Sequence, residues 1–107
     1  MDRPRRPRPR IGYFGSSLAA YWPQFPRVKE IVLETMERHI NRMEAMGCEI
    51  VRGGLIDCAE RGVEVGDLFA REQLDLIIGE LLTYTASHVL VPIAQRNIAP
   101  YLTLALQ

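Results

Sequence analysis

The spacing of apolar residues changes several times along the chain, and each change marks an element. Ile11-Gly12-Tyr13-Phe14-Gly15 is a short, mostly apolar run, as in a strand covered on both faces. It predicts a strand over about residues 10–15, followed by a long loop that ends between Pro23 and Pro26. From Pro26 the period lengthens. Val28, Ile31, Val32, Met36, His39, Ile40 and Met43 recur at three- and four-residue steps, while Glu30, Glu34, Glu37, Arg38, Arg42 and Glu44 take much of the remaining surface. This is an amphipathic helix over 26–46, with Pro26 in its first turn and Gly47 just past its end. His39 falls on the edge of the apolar stripe and reads as a packing residue, since no second ligand lies a turn away.

The same alternation repeats downstream. Residues 49–51 open a second strand, Gly53-Gly54 marks a bend, and Leu55-Ile56-Asp57 follows. A helix is predicted over 59–72, with Val63, Leu68, Phe69 and Ala70 available for burial. Residues 74–79 form a third strand, 80–84 a loop, 85–96 a third helix and 101–106 a last strand. In that strand Leu102, Leu104 and Leu106 share one side, expected to meet the third helix, and the milder Tyr101, Thr103 and Ala105 share the other, expected to lie open.

A β-α-β-α-β-α-β order implies a parallel sheet, because parallel neighbours need crossover connections. The fold class predicted is α/β: a Rossmann-like (flavodoxin-like) three-layer unit with a four-stranded parallel sheet, order 2-1-3-4, and three helices. The domain spans 10–107, and residues 1–9 form a basic, Pro/Arg-rich disordered leader. Right-handed crossovers place the switch of strand order between strands 1 and 3. Ligands of open α/β sheets bind in that crevice, so the loops after these two strands become the candidate site.

Composition refines this picture only slightly. The 107 residues, 48% apolar and 24% charged, suit one small globular domain, and no apolar run approaches the roughly 20 residues of a spanning helix. The net charge of zero hides an asymmetry: residues 1–10 hold five arginines and one acid, leaving eight basic and twelve acidic side chains elsewhere. Pro4, Pro7 and Pro9 keep the leader from forming a helix. A solvated tail is the expected reading, ahead of a nucleic-acid-binding arm. Cys48 and Cys58 lack metal-type spacing and read as reduced thiols.

Several chemistries fail on their own requirements. A phosphate-binding loop leads directly into a helix, whereas Gly15-Ser16-Ser17 precedes the long helix by about ten residues, so nucleotide or flavin binding would need a short helical turn over residues 18–22. A phosphoacceptor domain needs acids at the ends of strands 1 and 3, and only Glu80 is available. Ser16 and Ser17 have no histidine placed to activate them. His39 and His88 have no carboxylate pair that would complete a metal site. What remains is a set of side chains suited to sugar recognition: Tyr21, Trp22 and Tyr84, with Ser16, Ser17, Thr83 and Gln24. Aromatic faces stack on C–H surfaces while short polar groups bond hydroxyls. Trp22 and Phe25 could equally pack the loop down or dock a neighbouring subunit.

Ile11-Gly12-Tyr13-Phe14-Gly15 followed by Ala20-Tyr21-Trp22-Pro23-Gln24-Phe25-Pro26 resembles the start of proteins in the L-arabinose/L-fucose isomerase family. The similarity extends through residues 47–57, Leu68-Phe69-Ala70-Arg71-Glu72, residues 74–78, Thr83-Tyr84 and Val91-Pro92-Ile93-Ala94-Gln95-Arg96. The resemblance implies a cytoplasmic aldose–ketose isomerase, a homo-oligomer, of which this chain is the amino-terminal Rossmann-like domain. It implies a monosaccharide substrate at the strand 1/strand 3 crevice. It also implies a Mn²⁺ cofactor held by glutamates and histidines of later domains, so that no metal ligand and no catalytic residue belongs to this chain. After strand 1 the arabinose isomerases have Gly-Ser-Gln-His-Leu-Tyr; here Gly15 and Ser16 match, Ser17 and Leu18 replace Gln-His, and Tyr21 falls one position late. The alternative from topology alone is a stand-alone flavodoxin-like module that binds a small ligand or a partner without catalysis.

Overall fold

A computed structural model describes residues 8–17, 26–81, 87–97 and 99–105. The elements are β1 (Arg10–Ser16), α1 (Pro26–Ala45), β2 (Glu49–Ile56), α2 (Ala59–Arg71), β3 (Leu76–Leu81), α3 (Ser87–Arg96) and β4 (Tyr101–Ala105). All strand pairs are parallel and the order is β2-β1-β3-β4, as the element pattern implies. Gly47, at φ 97°, ends α1 in a conformation that costs glycine nothing.

Because successive strand residues point to opposite faces, the sheet builds two cores. Phe14, Ile56, Val65, Phe69, Ile77 and Ile93 meet on the side of α2 and α3. Ile11, Tyr13, Ile78, Val32, Met36 and Ile40 meet under α1. Arg10 locks the amino edge of β1. Its backbone N–H donates to Asp75 Oδ2 at 2.8 Å, and its guanidinium holds the Glu72 carbonyl and carboxylate. The last arginine of the basic stretch is therefore a fold residue.

Three local expectations change. Gly53-Gly54 does not break β2, which runs through as one strand with a bulge: Tyr13 pairs with Arg52 and Phe14 with Gly54, leaving Gly53 as the extra residue. Second, β3 starts and ends two residues later than the apolar run suggests, so Glu80 is a strand residue. Third, β4 is turned over. Tyr101 packs into the core on the α2/α3 side, 6.1 Å from the Phe14 ring. Leu102 and Leu104 stand in register with Ile78 and Glu80 and are 46% and 43% exposed. Helix α1 lies mainly over β1 and β2 and reaches β3 through Ile78 and Glu80, whereas the leucine side of β4 stands largely open. The larger tyrosine, which fills the gap beside Phe14, decides the orientation.

Gly79 makes that packing close. A Cβ there would stand 2.5 Å from Phe14 Cζ and 2.6 Å from Tyr101 Oη. Neither ring can retreat without disturbing the α2/α3 core, so Gly79→Ala is expected to lower stability by about 1–3 kcal/mol, read from the midpoint of urea unfolding.

Candidate functional site at the carboxyl ends of β1 and β3

Strands β1 and β3 are neighbours, and the helices that follow them, α1 and α3, pack on opposite faces of the sheet, the arrangement in which open α/β sheets bind ligands. Ser16 is the last residue of β1 and pairs with Leu81, the last of β3. Both serines singled out from the sequence are fully covered. The Ser16 hydroxyl donates to the Glu80 carbonyl at 3.4 Å, and the Ser17 backbone N–H donates to the Ile56 carbonyl at 3.0 Å. These residues stitch the ends of β1, β2 and β3 together at the base of the loop. The other candidates, Tyr21, Trp22, Gln24, Thr83 and Tyr84, lie outside the described residues.

One residue from the end of β3 is a polar cluster that the sequence reading did not assemble. Glu80 is 2% exposed. Its Oε1 accepts the Tyr13 hydroxyl at 2.5 Å, from the neighbouring strand, and meets His39 Nδ1 at 2.7 Å, from α1. An ionised carboxylate only accepts, so both neighbours donate to it. The three residues are 26, 41 and 67 positions apart in pairs. Only the crossover brings them together, and a lone glutamate after an apolar run reads as the start of a loop. His39 is thus not simply a packing residue. It is helix α1's polar contact with β3.

The Tyr13 hydroxyl is raised far above its ordinary 10.0, first by burial and then by the hydrogen bond and charge of Glu80. Burial also raises Tyr101, opposed by its hydrogen bond with Thr103. Both phenols stay protonated in the fold at a pH where the unfolded chain releases its protons. Below about pH 10 their contribution to stability is complete, and above it stability declines as pH rises. Unfolding midpoints measured from about pH 8 to about pH 11 are expected to hold up to about pH 10 and to fall above it, and Tyr13→Phe to flatten that fall.

Among the described residues no three histidine, cysteine, aspartate or glutamate side chains are grouped to hold a metal ion. Glu80 Oε1 is already occupied by two protein donors. The Mn²⁺ that the family resemblance implies would be held by glutamates and histidines of later domains. Cys48 and Cys58 are free thiols. Among the described residues no helix is long and apolar enough to cross a membrane. No family model, curated protein or solved structure was found to match the chain.

Proposed function

We propose that this chain is the amino-terminal, substrate-proximal domain of a cytoplasmic aldose–ketose isomerase of the L-arabinose/L-fucose isomerase type, contributing sugar contacts without catalysing the reaction alone. The observation that carries the reading is the β2-β1-β3-β4 order. It makes β1 and β3 adjacent, so the aromatic Ala20-Tyr21-Trp22-Pro23-Gln24-Phe25-Pro26 segment and Thr83-Tyr84 issue from neighbouring strand ends. The sequence resemblance supports the sugar class, and the buried polar base of the crevice supports a site for a hydroxyl-rich ligand.

Metal ligands, further domains and a homo-oligomeric assembly belong to the same proposal. The purified chain is expected to bind L-arabinose or L-fucose weakly by calorimetry and to show no aldose–ketose interconversion with Mn²⁺ present. Tyr21→Ala and Tyr84→Ala are each expected to weaken that binding by about 1–3 kcal/mol without a matching loss of stability. Metal-dependent turnover by the chain alone would contradict the division of labour. No sugar binding at all would leave the flavodoxin-like binding or interaction module.

A further inference from the structure

Packing does not explain why a carboxylate stands at position 80. Burying an unpaired charge costs several kcal/mol, and an apolar residue between Ile78 and the end of β3 would serve the core at no such cost. Instead the chain surrounds Glu80 with two donors on different elements, both aimed at Oε1. One of them, Tyr13, is 1% exposed and makes the buried end of the chain of contacts. The other, His39, has a side chain that is 33% exposed and makes the outer end.

That asymmetry has a chemical consequence. Neutral imidazole carries its proton on one nitrogen and accepts with the other, and a carboxylate bonded to one nitrogen selects which. With Nδ1–H directed at Glu80, Nε2 is the acceptor, on the edge of the ring away from the carboxylate. We infer that His39 is a ligand-binding imidazole whose Nε2 accepts a hydrogen bond from a hydroxyl of a polyhydroxylated ligand. Glu80 is the positioning residue that holds it, with Tyr13 behind. Leu104, in register with Glu80 on the same face and 43% exposed, offers an apolar surface beside it for the C–H side of such a ligand. The inference rests on the sugar-binding reading above and adds a contact on the α1 side of the sheet, away from the loop aromatics.

The test is nitrogen-detected NMR of the full ¹⁵N-labelled chain, with His39 distinguished from His88 by the His39→Gln variant. In the neutral imidazole, His39 is expected as the Nδ1–H form, and Glu80→Gln is expected to mix the two forms, which loss of packing alone would not do. Titration with L-arabinose or L-fucose is expected to move the His39 Nε2 resonance. His39→Gln, its fold checked by circular dichroism, is expected to bind about five- to tenfold more weakly. An Nε2–H form in the free protein overturns the inference. So does a sugar response at the loop amides that leaves His39 Nε2 unmoved, in which case the sugar-binding reading survives. No response anywhere in the spectrum removes both.

Discussion

Phe14→Ala is expected to destabilise the domain by about 3–5 kcal/mol, the range for deleting a buried aromatic ring. Phe14 is fully buried at the centre of the α2/α3 core, with ring centroids 6.3 Å from Phe69 and 6.1 Å from Tyr101. Removing the ring forfeits its transfer energy and leaves a cavity walled by Phe69, Tyr101 and the Gly79 backbone. These cannot all close in, since Gly79 and Tyr101 are fixed by pairing between β1, β3 and β4. Against a total of about 5–15 kcal/mol for a domain, this takes the chain to the edge of folding. Urea denaturation monitored by circular dichroism measures it. A loss under about 1 kcal/mol would mean that the ring is not the core's centre. Phe14→Leu should cost less, and combining it with Gly79→Ala should cost less than the sum, because the smaller side chain relieves the overlap.

The second large effect belongs to Glu80. Glu80→Ala is expected to cost about 2–4 kcal/mol, from a cavity together with a buried Tyr13 hydroxyl left without its acceptor. His39 contributes less to the loss, because its partly exposed ring can turn to water. The informative comparison is the double variant Tyr13→Phe/Glu80→Leu. Removing donor and acceptor together eliminates the unsatisfied group, so this variant should be more stable than Glu80→Ala despite carrying two changes. Denaturation curves for both test it, and a double variant as unstable as the single one would show that the hydrogen bond itself is not the cause. Its use in ligand binding is a separate matter: the apolar double variant should keep the fold and lose the fixed tautomer of His39.

Much of the architecture follows from local pattern. The three- and four-residue repeat from Val28 to Met43 specifies α1, because only a helix gathers those residues on one face. Short apolar runs separated by amphipathic helices specify a parallel sheet, because crossovers of that length cannot make hairpins. Right-handed crossovers then lead to the β2-β1-β3-β4 order, which makes β1 and β3 neighbours. The serines at the end of β1 were legible as candidates, since their place at a strand's carboxyl end depends only on that order.

Other features depend on distant partners. Gly53-Gly54 reads as a bend, but Gly54 at φ 78° and the neighbouring β1 accommodate it as a bulge. Leu102 and Leu104 read as the buried side of β4, but Tyr101 has the stronger claim on the space beside Phe14, and the pleat then turns both leucines outward. Glu80 reads as a loop residue because an isolated charge is rarely buried. Its burial requires Tyr13, 67 positions earlier, and His39, 41 positions earlier. Periodicity reports what each residue offers to a face, whereas tertiary packing decides which distant donor meets which acceptor. The sequence by itself determined the layers and the order of this protein. The polar cluster at the end of β3 exists only once the crossovers have brought α1, β1 and β3 together.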